Sequence, residues 1–141
     1  MQKPTNDYAR IVRLEGVLPA DARERALHAL GMEGFRVVAE IDFQDSLQRN
    51  LDKDIGPYRL LEVCRPDLAD RALAVDRSAG LLIPCKVGIW REGPDAVIAA
   101  LRPEIVAAAA GDERLFTVTL EAQAHLDRAI DRLLERQYRA A

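Results

Sequence analysis

Residues 58–90 read YRLLEVCRPDLADRALAVDRSAGLLIPCKVGIW. The first part, Tyr58–Cys64, is an apolar segment with the length and composition typical of a β-strand. Pro66 then favours the start of a helix, because its fixed φ suits the first helical turn. The apolar run 81–90 predicts another strand, and Pro84 is expected at a bulge, a strand start or an edge because it donates no backbone hydrogen bond. The stretch therefore predicts a strand-helix-strand unit, which also contains both cysteines.

The flanking sequence predicts further strands and helices by the same rules. Alternation in the segment 35–41 places Val37 and Ile41 on one buried face of a strand. A turn at 92–95 joins two strands in a hairpin. The order of elements favours an α+β fold: a two-layer sandwich with a mainly antiparallel sheet and helices packed on one face. The other predicted strands are 8–15 and 96–101, and the other predicted helices begin at Pro19 and cover 43–53 and 115–138.

The last predicted helix carries several charged residues on its expected outer surface. Arg128 and Arg132 stand three positions before Asp131 and Glu135, a spacing typical of ion pairs on one helix. His125 is expected to be a surface residue of the same helix. Each of these ion pairs is therefore expected to contribute only a few tenths of a kcal/mol.

Length and composition are those of one globular domain spanning residues 1–141, with 49% hydrophobic and 30% charged residues. The net charge of −3 disfavours a nucleic-acid partner, which would favour a basic surface. No apolar run is long enough to span a membrane, and the first residues lack a secretory signal. We therefore expect a cytoplasmic protein whose two cysteines are reduced.

Several catalytic and binding motifs are absent from the sequence. It contains no phosphate-binding glycine loop, dinucleotide fingerprint, nucleophile elbow or zinc-protease motif. Two cysteines and two distant histidines do not provide the ligand spacing of a zinc site. The sequence therefore favours a protein that is not an enzyme, and it implies neither cofactor nor metal.

One carboxylate interrupts the apolar strand 58–64. Alternation places Tyr58, Glu62 and Cys64 on one face, and a carboxylate there is costly to bury unless it is paired. Glu62 is therefore expected either to form a structural ion pair or to orient a ligand as a base or anchor. Lys86, in the following strand, is expected to pair with Glu62 or Asp42 across the sheet, or to be solvated.

The cysteines admit two interpretations. Cys64 lies beside Arg65 and a predicted helix start, an arrangement that favours the thiolate and hence reactivity. Alternatively, Cys64 is a small buried apolar residue, and core packing is the stronger expectation for Cys85. If the two strands are neighbours, the thiols approach each other and form a redox pair or part of a soft-metal site.

The strings EVCRP at 62–66 and LIPCKV at 82–87 resemble the domain-of-unknown-function 302 family. The resemblance covers about residues 20–105 and includes Gly34-Phe35, Pro57-Tyr58 and the turn into Gly80-Leu81. It implies a compact α+β domain similar in fold to the TATA-box-binding protein, and commonly a homodimer. A shared fold carries no DNA-binding function with it, and the family has no established activity.

These observations favour a non-catalytic module that binds a small molecule or another protein and acts as a homodimer, with a pocket between the sheet and the helices. The alternative is a thiol-dependent redox, persulfide or metal-sensing protein that uses Cys64 and possibly Cys85. No catalytic residue can be assigned. The candidate binding residues are Tyr58, Glu62, Cys64, Arg65, Cys85 and Lys86.

Overall fold

The computed structural model describes the backbone of residues 7–140 and the side chains of residues 7–135. The predicted strands and helices occur in the predicted order, with one further helix, Pro103–Ala110, before the last one, and the α+β prediction is confirmed. A short 3₁₀ helix, Arg77–Leu81, precedes the fourth strand. The strands are β1 (Ala9–Leu14), β2 (Arg36–Asp42), β3 (Tyr58–Cys64), β4 (Cys85–Glu92) and β5 (Asp95–Leu101), and the helices are α1 (Pro19–Met32), α2 (Phe43–Leu51), α3 (Pro66–Val75), α4 (Pro103–Ala110) and α5 (Glu113–Ala140).

The strands form one antiparallel sheet in the order β1-β5-β4-β3-β2. The β4–β5 hairpin and β3 form its centre, and Tyr58 of β3 lies opposite Trp90 of β4. At one edge, Ala9 of β1 lies opposite Leu101 of β5. The other edge is β2, which pairs with β3.

Helices α1 and α5 cover one face of this sheet, and α3 and α4 pack against α5. The core lies between the layers, and each fully buried aliphatic side chain contributes about 1.5–3 kcal/mol through apolar burial. Within residues 7–140, none of the helices is both long and apolar enough to cross a bilayer. The largest fully buried core residues are Leu14, Leu61, Val63, Val87, Ile89, Ile98, Leu126 and Ile130.

Local sequence explains where the helices begin. Pro19, Pro66 and Pro103 each occupy the first turn of a helix, where a missing backbone N–H leaves no bond unmade. Helix α2 instead has a side-chain cap, because the carboxylate of Asp42 accepts a hydrogen bond of 3.0 Å from the backbone N–H of Asp45.

The predicted burial of β2 is wrong. A bulge between Val37 and Ala39 shifts the register against β3, so alternation does not run through the strand. Val37 therefore stays opposite Val63, on the helix-covered face, while Ile41 lies opposite Leu60, on the other face. Both side chains are exposed, at 42% and 39%, because β2 is an edge strand.

The predicted start of the fourth strand is also wrong. Residues 81–84 are not part of β4, and Leu81 is 85% exposed at the end of the 3₁₀ helix. Pro84 directly precedes Cys85, the first residue of β4. The expectation that this proline stands at a strand start is therefore confirmed, and it explains why the apolar run does not pair along its whole length.

Candidate functional site

The sheet face opposite α1 and α5, called here the open sheet face, carries an aromatic group at its centre. The rings of Tyr58 and Trp90 stack with centroids 5.3 Å apart and planes inclined by 10°. Phe43 meets Tyr58 edge-on, with centroids 5.4 Å apart. Gly88 permits this arrangement, because a Cβ atom there would lie 3.2 Å from Cζ3 of Trp90. Such ring pairs add about 0.5–1.5 kcal/mol beyond their burial.

A shallow groove with an empty volume of about 590 Å³, which includes open solvent, crosses the open sheet face. Its floor is mostly aliphatic, and residues such as Leu60 and Leu101 are only half-buried. The predicted residues Tyr58 and Lys86 line this groove. Its other lining residues are Tyr8, Ala9, Ile11, Leu60, Gly88, Trp90, Ala99 and Leu101.

Lys86 pairs with Glu62 directly across the β3–β4 ladder. Of the two predicted partners of Lys86, Glu62 is thus the one it contacts, whereas Asp42 lies 3.4 Å from a guanidinium nitrogen of Arg59. The pair accounts for a carboxylate in an otherwise apolar strand, because the opposite charge compensates for its partial burial.

Both cysteines are free thiols, and they lie on opposite faces of the sheet. Cys85 pairs with Val63 and is buried beneath the helices, whereas Cys64 follows Val63 and is half-buried on the other side. Burial raises the pKa of Cys64, and the nearby Asp67 raises it further. Burial also raises the pKa of Cys85, to about 12, and the nearby Cys64 adds to the shift.

The expectation that Arg65 favours a Cys64 thiolate is wrong. The Arg65 guanidinium binds Asp67, with Nε and Nη2 each 3.2 Å from a carboxylate oxygen, and also contacts His125. The charge that was expected to activate the thiol is therefore compensated by a neighbouring carboxylate. The thiol form of Cys64 is favoured instead.

An apolar cavity lies on the helix side of the sheet, between the start of β4 and helices α3, α4 and α5. It brings together two predicted residues, Arg65 and Cys85. Its interior space is only about 30 Å³, about the room of one or two water molecules, and the 530 Å³ of empty space around it includes open solvent. Of the described residues that line it, Arg65 alone is charged. The others are Phe35, Leu68, Ala72, Ala79, Leu82, Ile83, Cys85, Pro103, Ala107, Leu115, Val118, Thr119 and Ala122.

A buried carboxylate, which the sequence did not predict, contacts His125, and His125 in turn contacts Arg65. The side chain of Glu33, just after α1, is only 6% exposed. It accepts hydrogen bonds from Nε of Arg128 at 2.8 Å and from Nη2 of Arg132 at 2.7 Å, and Nδ1 of His125 lies 2.9 Å from its Oε1. The hydrogen bond with His125 and the two arginines lower the pKa of Glu33, although burial opposes the shift. We call these residues, together with Arg65, the Glu33 cluster.

The cluster corrects the predictions for α5. Arg128 and Arg132 do not form an outer row of ion pairs, because both guanidinium groups bind Glu33. His125 is partly buried between Glu33 and Arg65 rather than a surface residue. One signal was present in the sequence: positions 125, 128 and 132 recur at helical spacing and hence share one side of α5.

The side chain of Arg65 packs against Gly34, the residue that follows Glu33. The φ of +82° at Gly34 suits glycine, and a Cβ atom there would lie 3.4 Å from Nε of Arg65. Arg65 thus lies against the backbone next to Glu33 while it also lines the cavity. Among the residues that the structure describes, no group of three or more His, Cys, Asp or Glu side chains is arranged to hold a metal ion.

A five-stranded antiparallel sheet with helices on one face defines a two-layer α+β protein. Within this class, the chain belongs to the family described as Domain of unknown function DUF302, whose pattern matches residues 12–133. The match extends beyond the range of about 20–105 covered by the sequence resemblance. The predicted family membership is confirmed.

The chain is similar in fold to a solved structure, the crystal structure of an uncharacterized conserved DUF302 protein from Bacillus stearothermophilus. The TM-score is 0.81 at 24% sequence identity, over 90% of this chain and 98% of that chain. No curated protein matches the sequence. The comparisons therefore establish the fold and the family, and they assign no activity.

Proposed function

We propose that this protein is a non-catalytic module that binds a small molecule in the apolar cavity. The observation that carries the proposal is the cavity itself: an open-mouthed, apolar space between sheet and helices, with one charged side chain in its lining. Concave apolar sites with few polar groups are the usual form of small-molecule sites. Because the interior space is only about 30 Å³, a ligand enters only if the lining side chains move apart.

The test compares two alanines of α5. Ala122 lines the cavity, whereas Ala124 is exposed on the same helix. A panel of slender apolar compounds is screened by thermal shift on the unmodified protein, on Ala122→Leu and on Ala124→Leu. A ligand of the cavity raises the melting temperature of the protein and of Ala124→Leu, and the larger side chain in Ala122→Leu abolishes the shift. If no compound shows this difference, the proposal is wrong.

The proposal includes self-association through the open sheet face, with a second copy of the chain as the partner. Its support is the half-buried aromatic and aliphatic surface around Tyr58, Leu60 and Trp90. The charges on this face are paired within the chain: Lys86 with Glu62, and Arg13 with Glu92 and Asp95. A symmetric contact places the same patch on itself, so charges that are already paired limit the repulsion between the two copies.

The size of the face suits a weak dimer. Five strands about 4.8 Å apart, each about 20–26 Å long, present roughly 500 Å² per protomer. Two such faces bury roughly 1,000 Å², at the lower end of specific interfaces. An interface of this size is typical of weak or transient association.

Sedimentation equilibrium tests the dimer. Leu60→Glu adds a charge to the open sheet face, and Leu120→Glu adds the same charge to an exposed position of α5. The unmodified protein and Leu120→Glu are expected to dimerise, whereas Leu60→Glu remains monomeric. A monomeric unmodified protein at the highest soluble concentration would exclude self-association.

The thiol-dependent alternative has less support, because burial raises the pKa of both cysteines and so disfavours the reactive thiolates. The proposal is completed by a cytoplasmic location. It agrees with the two free thiols of Cys64 and Cys85.

A further inference from the structure

We infer that an open cleft at one end of the sheet binds the phosphate group of a small phosphate monoester through Arg59 and Arg91. The cleft lies on the helix-covered side, between the start of α1 and the β3–β4 strand pair. We call it the arginine cleft, because Arg23, Arg59 and Arg91 line it. It shares no lining residue with the apolar cavity, so the inference goes beyond the proposed function and does not depend on it.

The arginine cleft has room for a ligand without movement of its walls. Its interior space is about 540 Å³, within the range of about 300–1,000 Å³ that is usual for small-molecule sites. Three of the described residues that line it are arginines, and none of them is a carboxylate. The cleft therefore offers both space and positive charge to an anion that enters from solvent.

Two of these arginines have N–H groups that are free to donate. Nε of Arg91 donates to the carbonyl oxygen of Gly93 at 3.0 Å, and within residues 7–135 its terminal nitrogens donate no hydrogen bond. Terminal nitrogens of Arg59 lie 3.4 Å from Asp42 and 3.7 Å from Glu40, without a hydrogen bond to either carboxylate. Both guanidinium groups are therefore available to an anionic ligand.

The third arginine of the cleft is already bound. Nε and Nη2 of Arg23 donate to the two carboxylate oxygens of Glu40 at 2.7 and 2.6 Å. This bidentate pair occupies Glu40, which leaves its longer contact with Arg59 the weaker of the two. We therefore assign the phosphate to Arg59 and Arg91, and Arg23 to the wall of the cleft.

The register of β3 and β4 places the two free guanidinium groups near each other. Arg59 lies opposite Ile89, and Arg91 follows Ile89 by two positions on the same face of β4. Such diagonal neighbours are about 7–8 Å apart, a distance that long side chains can bridge. Because the two positive charges repel each other, an anion bound between them removes repulsion and also gains charge-assisted hydrogen bonds.

This arrangement matches a phosphate monoester better than a carboxylate. Near neutral pH a phosphate monoester carries about two negative charges and three strong acceptor oxygens, enough for two guanidinium groups at once. A carboxylate has a single charge and two oxygens, which one arginine can satisfy. The cleft is also lined by Leu18, Pro19 and Ile89, so an apolar group attached to the phosphate should increase the affinity.

The experiment titrates the isotope-labelled full chain with phenyl phosphate, inorganic phosphate and benzoate, and follows the NMR chemical shifts of the backbone amides. The inference requires phenyl phosphate to bind most tightly, with the largest shifts at Arg59, Ile89 and Arg91. Benzoate, which has the same ring and a carboxylate, should bind more weakly. The spectra of each variant also show directly whether it is folded.

Three substitutions separate the arginine cleft from general attraction to positive charge. Arg59→Gln and Arg91→Gln should each weaken phenyl phosphate binding about ten- to a hundredfold, the usual effect of losing a hydrogen bond to a charged group. Arg77→Gln is the matched control, because Arg77 is exposed in the 3₁₀ helix and does not line the cleft. It should leave the affinity unchanged.

Four results would overturn the inference. They are the absence of shifts at millimolar phenyl phosphate, shifts confined to residues outside the arginine cleft, equal binding of benzoate and phenyl phosphate, and an equal loss of affinity in Arg77→Gln and Arg59→Gln. None of these results bears on the apolar cavity, whose own test compares Ala122→Leu with Ala124→Leu.

Discussion

Arg132 of α5 donates a 2.7 Å hydrogen bond from Nη2 to Oε2 of Glu33, although 99 positions separate the two residues. This contact joins the last helix to the residue that follows the first. Because the Glu33 side chain is almost fully buried, its charge depends on these partners for compensation. The stability of the helix layer is therefore expected to depend on this carboxylate.

Glu33→Gln should lower the free energy of unfolding by about 1–3 kcal/mol, because the amide cannot compensate the surrounding guanidinium groups. Urea denaturation measures the change as a lower midpoint with an unchanged slope. Glu15→Gln, at an exposed position, provides the control and should change stability by less than about 0.5 kcal/mol. Equal effects of the two substitutions would contradict a structural role for the Glu33 cluster.

The contribution of Glu33 should disappear in acid. Its pKa is lowered in the folded protein from an ordinary value of 4.5, so the folded state holds the proton less tightly than the unfolded state does. The resulting stabilisation is fully present above the ordinary pKa and is lost as the pH falls through the lowered folded-state pKa. We expect the stability difference between the unmodified protein and Glu33→Gln to be constant near neutral pH and to shrink below about pH 4.5. A stability difference that grows as the pH falls would contradict the lowered pKa of Glu33.

Gly88→Ala should displace the Trp90 ring. The added Cβ atom would meet that ring at 3.2 Å and the Tyr58 hydroxyl at 3.4 Å. Overpacking of this kind costs about 1–3 kcal/mol, and the near-ultraviolet circular dichroism of the stacked rings should change with it. Gly31→Ala is the matched control: its Cβ has no neighbour within 4 Å, and alanine in α1 should stabilise by about 0.5–1 kcal/mol. Unaltered aromatic dichroism in Gly88→Ala would contradict the tight Gly88–Trp90 contact.

Thiol labelling near neutral pH should be slow at both cysteines. Raised pKa values keep Cys64 and Cys85 in the thiol form, and burial limits access to Cys85 most. In Cys64→Ser and Cys85→Ser, each remaining thiol should react with a disulfide reagent more slowly in the native state than in urea, and Cys85 should be the slower of the two. If native Cys64 reacts faster than its unfolded form, the thiol-dependent alternative regains its support.

Elements with a strong local signal were predicted well. The bounds of β3 are those predicted, Tyr58–Cys64, because Gly56-Pro57 precedes it and Pro66 ends it. The pairing of Glu62 with Lys86 was one of the alternatives that the sequence offered, beside Asp42 and solvent, and the structure selects it. Short-range patterns of this kind indicate where a strand begins and where it ends.

Features that depend on distant partners were predicted poorly. The bulge of β2 does not appear in its alternation, because it is defined by the register against β3. In the sequence, Glu33 does not differ from other acidic residues near helix ends, because its partner His125 lies 92 positions later. The cavity likewise requires α3, α4 and α5 together, so the sequence identified Arg65 and Cys85 without showing that they line one space.

The position of β1 in the sheet has a consequence for synthesis of the chain. β1 is made first, yet its partner in the sheet is β5, and Arg10 also reaches Asp127 and Asp131 of α5. A growing chain on the ribosome therefore holds an unpaired strand until β5 and most of α5 have emerged. Closure of the sheet at this edge is a late, long-range event, and such non-local contacts slow folding and prolong exposure to misfolding and to chaperones.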